Sequence, residues 1–103
     1  AIRERGVAAA LQVNHSGSHR ANPPFSEAVG ASALPHPTSG ITPAELTPAE
    51  IAKLVLAFGS AAGRAREAGY DLVEIHCAHG YLLSQFLSPL TNRRGDRFGG
   101  NRW

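Results

Sequence analysis

The stretch Arg64-Ala65-Arg66-Glu67-Ala68-Gly69-Tyr70-Asp71-Leu72-Val73-Glu74-Ile75-His76 decides the fold, because it passes from one structural period to another across a single glycine. Upstream of it, Ile51, Leu54, Val55, Phe58, Ala62 and Ala65 recur at spacings of three and four, which places one apolar stripe along a helix. Thr47-Pro48-Ala49-Glu50 opens that helix with a hydroxyl residue, a proline at the first helical position and a glutamate three after the cap. Lys53, Arg64 and Glu67 fall where they can stay in water, and Gly69 stands where a left-handed residue closes a helix. The pattern predicts a helix over 47–69. Beyond Gly69 the branched residues Leu72, Val73 and Ile75 predict a strand over 71–76. Before the helix, the run Val7-Ala8-Ala9-Ala10-Leu11-Gln12-Val13 is short and meets the turn signal Ser16-Gly17-Ser18, so it predicts a buried strand over 9–14. Strand, helix and strand in this order make the two strands parallel neighbours in an α/β fold.

The remaining segments read as loops. Residues 15–46 carry Pro23, Pro24, Pro35, Pro37 and Pro43, which excludes a long helix or a central strand. Thr42-Pro43-Ala44-Glu45 repeats the capping pattern with no periodic run behind it, and reads as a short turn. Residues 77–103 form a second long loop, with a short apolar segment from Gly80 to Leu87 that suits a helical turn.

Composition bounds the rest. The chain has 103 residues, enough for one small domain or a piece of a larger one. An apolar share of 43% with 17% charged residues fits a globular interior better than a disordered tail. The net charge of +2 is too small to name a polyanionic partner. Four arginines against Asp96 put +3 into residues 91–103, so the basic character belongs to the tail, which reads as a solvated loop. A nucleic-acid role would rest on those arginines alone, with only Phe98 and Trp103 as aromatic neighbours, so no nucleic-acid partner is expected. The single cysteine, Cys77, excludes an intrachain disulfide and suits a reducing compartment, hence a cytoplasmic location. No apolar run reaches the roughly 20 residues of a membrane helix, and Ala1–Arg5 does not read as a signal peptide. The lack of any methionine predicts a chain processed or trimmed from its translated form.

The chemistry-bearing residues gather after the second strand, in His76-Cys77-Ala78-His79-Gly80-Tyr81. His76 closes the strand, and Gly80 lets the chain turn sharply beyond it. In α/β folds the carboxyl end of a parallel strand is where sites are built. Three readings compete. The residues are ordinary packed or solvated side chains; or His76, His79 and Cys77 supply metal donors, with His15 and His19 available to complete the set only if the fold brings them there, although the spacing matches neither a closed set of four nor a helical histidine pair; or two imidazole N–H groups hold a developing oxyanion while Tyr81 moves a proton. On the first strand, Gln12 interrupts an apolar run. Its amide either bonds to backbone or water, or pairs with the edge of a planar heterocycle. Glu74, on a strand expected to be buried, calls for a partner, and an arginine is the expected one.

The segment Ala68-Gly69-Tyr70-Asp71-Leu72-Val73-Glu74-Ile75-His76-Cys77-Ala78-His79-Gly80-Tyr81-Leu82-Leu83-Ser84-Gln85-Phe86-Leu87-Ser88-Pro89 resembles the fourth strand and following loop of the old yellow enzyme family. These are FMN-dependent NAD(P)H:flavin oxidoreductases on a (β/α)8 TIM barrel. Thr91-Asn92-Arg93-Arg94-Gly95-Asp96-Arg97-Phe98-Gly99-Gly100 is similar to the family's Asn-x-Arg-x-Asp-x-x-Gly-Gly run, and Leu11-Gln12-Val13-Asn14-His15-Ser16-Gly17 resembles its third strand. The resemblance implies that Gln12 contacts the flavin ring. It implies that His76 and His79 bind the carbonyl or anionic oxygen of a ligand on the flavin, and that Tyr81 is the catalytic proton donor. Two departures stand out: Ser18 occupies a position where the family often has arginine, and Trp103 breaks the usual continuation past the double glycine.

A complete barrel needs about 250 residues. The resemblance therefore implies a fragment holding strands three and four with the helix between them. It also implies FMN as cofactor, NAD(P)H as reductant, an electron-poor alkene or carbonyl compound as small-molecule substrate, and no metal. The alternative is a catalytically inactive fragment that acts as an interaction module, a homo-oligomer pairing its open strand edges.

Overall fold

Helix α1 (Pro48–Glu67) starts at the proline the capping pattern marks, and its last turn shows why it ends. Gly69 takes φ +87° and donates its N–H to the Arg66 carbonyl, while Tyr70 donates to Ala65 across six residues. These two bonds form a Schellman closure, which satisfies carbonyls that the helix cannot reach itself. The computed structural model describes residues 2–21, 25 and 27–100.

From that glycine the chain enters β4 (Leu72–Ile75), which pairs in parallel with β1 (Ala10–Val13). The register sets Ala10 opposite Leu72, Gln12 opposite Glu74 and Val13 opposite Ile75. Asp71 locks it: its Oδ2 accepts the Ala9 N–H at 2.8 Å, its own N–H donates to the Ala9 carbonyl at 2.9 Å, and Arg3 lies 3.3 Å from its Oδ1. The helix buries Ile51, Leu54 and Ala65. Val55, expected in the same stripe, is 65% exposed, and neighbouring Leu56 is 74% exposed. Two strands offer a surface too narrow for the whole stripe, and Leu72 and Ile75 on β4 are exposed for the same reason. The observed strands are each two residues shorter than the ranges 9–14 and 71–76, and the helix is three shorter than 47–69.

The chain forms two compact units. Residues 1–13 and 48–76 make the first, described above; residues 14–47 and 77–103 make the second. The physical reason is that each long loop packs on the other. They are not structureless. Among the described residues of 15–46 lie a 3-10 turn, Gly17–His19, and two short parallel strands, β2 (Val29–Gly30) and β3 (Ala44–Glu45), bridged by the Ala44 N–H to Ala28 and the Leu46 N–H to Gly30. Thr42-Pro43-Ala44-Glu45 therefore leads into a strand pair and is more than a turn. Inside 77–103 lies α2 (Leu82–Leu87), as the apolar segment suggested. Leu46 and Leu82 are the largest fully buried side chains among the described residues, and burial of each contributes on the order of 1.5–3 kcal/mol. Gly17 is there for space as well as conformation: at φ +60°, an added Cβ would stand 2.7 Å from the Gln85 amide and 2.9 Å from the Leu82 Cα. Among the described residues no helix is long and apolar enough to cross a membrane.

Candidate active site

The candidate residues divide between the two units. Gln12 and His76 belong to the first, on β1 and just past β4; His79 and Tyr81 belong to the second.

In the first unit, the parallel register brings the Gln12 amide beside Glu74, and Gln12 Nε2 donates to Glu74 Oε1 at 3.0 Å. Both side chains are exposed. Glu74 was expected to pair with an arginine; it accepts from an amide because water reaches it and no buried charge needs cancelling. His76 follows β4, donates its backbone N–H to the Val13 carbonyl at 3.1 Å, and buries its imidazole.

In the second unit, His79 takes φ +57°, the one positive value on a non-glycine side chain among the described residues, and Gly80 follows at +67°. A left-handed residue with a Cβ costs about 1–2 kcal/mol. Strain of this kind gathers at functional sites when surrounding contacts hold it. The Tyr81 N–H returns to the Ala78 carbonyl at 3.1 Å, closing the turn over those two residues. The His79 and Tyr81 rings stand 6.2 Å apart, edge to face.

Two further imidazoles join them that the sequence reading did not assign. His19 lies edge-on to Tyr81 with ring centroids 4.7 Å apart, and His36 packs against His19 at 4.2 Å. His19, His36 and His79 line a cavity of about 530 Å³ together with Ser18, Gln85 and Thr91. Sequence spacing gave no sign of this, since 17 residues separate His19 from His36 and 45 separate His36 from Tyr81. Among the described residues no group of three or more His, Cys, Asp or Glu side chains stands close enough to hold a metal ion.

His15, which the sequence offered only as a possible metal donor, is the other such residue. Its Nδ1 accepts the Gly17 N–H at 3.0 Å, so the neutral ring carries its proton on Nε2. Nε2 is buried and finds no hydrogen-bond partner among the described residues. Burial lowers the His15 pKa. The folded form thus resists protonation, and its stability is full above the unfolded value of about 6.5 and declines as pH falls below it. The sequence signal was the histidine closing an apolar strand before a glycine.

Residues 91–99 are only partly the solvated basic loop expected: Arg93 and Arg97 are exposed, while Arg94 is held inside. Arg94 is only 7% exposed. Its Nη1 donates to the carbonyls of Ala31 at 2.9 Å and Leu46 at 2.6 Å, while Nε and Nη2 grip Asp96 at 2.9 and 2.6 Å. The Arg94 hydrogen bond holds the Asp96 carboxyl below its ordinary pKa. Asn92 donates to the carbonyls of Phe86 and Phe98. Arginine and aspartate here brace the loop, and Arg94 is unavailable to an external polyanion.

Known proteins match this arrangement. The model of the NADH:flavin oxidoreductase / NADH oxidase family matches residues 1–102. The NADPH dehydrogenases of Geobacillus thermodenitrificans and Clostridium acetobutylicum are 47% and 48% identical over 100 residues, covering 97% of this chain and 29% of each relative. Morphinone reductase in complex with tetrahydroNAD is similar in structure at TM-score 0.85 and 34% identity, over 96% of this chain and 32% of that one. A 2-naphthoyl-CoA reductase complex with 2-naphthoyl-CoA follows at TM-score 0.84 and 31% identity, over 97% of this chain and 17% of that one. The parallel strands and intervening helix are therefore an α/β portion of a (β/α)8 barrel. With its family model matched almost end to end, the chain belongs to the NADH:flavin oxidoreductase / NADH oxidase family.

Proposed function

We propose that this chain forms part of an FMN-dependent oxidoreductase that uses NAD(P)H to reduce electron-poor alkenes. The observation that supports it best is the turn after β4, where a left-handed His79 stands beside a half-buried Tyr81. The residues present fit a flavin: Gln12 displays an exposed amide on β1, with donor and acceptor side by side for the edge of a planar heterocycle. Flavin, when bound, supplies hydride transfer between NAD(P)H and the acceptor.

The chain's own residues do the rest. His76 and His79 offer imidazole N–H groups to the substrate's carbonyl oxygen, where negative charge grows as hydride reaches the β-carbon. Tyr81 gives its phenolic proton to the α-carbon, which completes a two-electron, two-hydrogen reduction of the double bond.

Flavin titration tests the cofactor assignment. The chain spans 29% of the relatives' length, so the comparison uses both the 103-residue chain and a chimera in which it replaces the matching segment of the Geobacillus enzyme. The chimera should bind FMN tightly, and Gln12→Leu should weaken binding by roughly tenfold, the worth of one or two hydrogen bonds. The chain alone should bind weakly. A chimera that fails to bind FMN, or one indifferent to Gln12→Leu, contradicts the assignment; sub-micromolar affinity of the isolated chain contradicts only the expectation that the chain alone binds weakly.

A further inference from the structure

Gln85 sits on α2 and is 3% exposed, yet neither the proton transfer nor the oxyanion contacts use it. A buried amide is costly unless its hydrogen bonds are made. Here they are made, and to two separate turns. Nε2 donates to the Ser18 hydroxyl at 2.8 Å and to the Gly80 carbonyl at 2.6 Å, while Oε1 accepts the Ser18 N–H at 3.4 Å.

Ser18 lies in the Gly17–His19 turn, and Gly80 is the second left-handed residue of the His79–Gly80 pair. One amide therefore ties the turn that carries His19 to the turn that carries His79 and Tyr81. The rings confirm what the tie holds: His19 stands 4.7 Å from Tyr81, edge to face, with His36 behind it at 4.2 Å. The two turns also leave no slack, since Gly17 has no room for a Cβ against the same amide.

We propose that Gln85, acting through Ser18 and the Gly80 carbonyl, is a positioning residue that sets the Tyr81 phenol against His19 and fixes the direction in which it delivers a proton. This rests on the reading of Tyr81 as proton donor, and the test separates the two. The chain has two tyrosines, Tyr70 and Tyr81. In a Tyr70→Phe background labelled with 3-fluorotyrosine, the full chain shows one fluorine resonance, from position 81. Gln85→Leu should move it toward its position in urea. Ser18→Ala, which removes only the hydroxyl and spares the fold, should move it in the same direction by less.

In the FMN-loaded chimera, Gln85→Leu should lower kcat by up to about 100-fold with little change in KM, the size expected of a reacting group displaced by about an ångström. In a Tyr81→Phe background the same substitution should lower kcat no further. A fluorine resonance that stays at its native position in both Gln85→Leu and Ser18→Ala overturns the proposal. So does, where Tyr81→Phe itself lowers kcat, a Gln85→Leu loss of equal size with and without the Tyr81 hydroxyl. A moved resonance together with a kcat indifferent to Tyr81→Phe keeps the positioning role and overturns only the proton-donor reading.

Discussion

Tyr81→Phe in the FMN-loaded chimera is expected to lower alkene reduction by about 10²–10⁴-fold, the contribution of a positioned general acid. Reduction of the flavin by NAD(P)H should proceed at its normal rate, because that step needs no proton from the protein. Stability should hardly change: the ring, with its contacts to His19 and His79, is kept, and one hydroxyl is lost from a half-buried position. Rapid-mixing measurements of the two half-reactions check this directly. A substitution that slows both alike, or neither, would remove Tyr81 from the chemistry.

The second large effect lies away from the reacting groups. Arg94→Leu strips hydrogen bonds from the Ala31 and Leu46 carbonyls. Buried acceptors left unmade cost about 1–3 kcal/mol each, so the two together should cost roughly 2–6 kcal/mol of stability. Lysine should not rescue the loss, since a single ammonium cannot reproduce the planar fork that holds two carbonyls and both Asp96 oxygens. There is also a pH signature. Asp96 is held below the ordinary carboxylate value by its hydrogen bond to Arg94. The linked stability is complete above the unfolded value of about 3.9 and is lost as pH falls through the lower folded value. Arg94→Leu should therefore shift the acid transition of this region to higher pH. Urea midpoints at neutral pH and acid titrations of both forms measure it; an unchanged midpoint would mean that Arg94 is dispensable.

Much of this was legible in the sequence because it is local. The helix is written into the spacing of Ile51, Leu54, Phe58 and Ala65, its stop into Gly69, and the second strand into Leu72-Val73-Glu74-Ile75. His76, His79 and Tyr81 stand out because three polar rings follow a strand within six positions. What escaped was non-local. Composition says Arg94 is a surface charge; only the fold of loop 15–46 brings Ala31 and Leu46 to its guanidinium. His19 and His36 looked like scattered loop residues, and their contact needs the turn after β1 to meet the proline-rich segment. The exposed Val55 belies the width of the apolar stripe, because a periodicity shows which side is apolar and not how much of it finds cover.

One anaerobic single-turnover measurement tests the whole account. The chimera, its flavin reduced by NADPH, is mixed in deuterated water with an alkene conjugated to a carbonyl. Stoichiometric reoxidation of the flavin is expected, with saturated product bearing deuterium on the carbon next to the carbonyl. A flavin that stays reduced while the alkene remains intact would contradict the assignment of His76, His79 and Tyr81 to this chemistry.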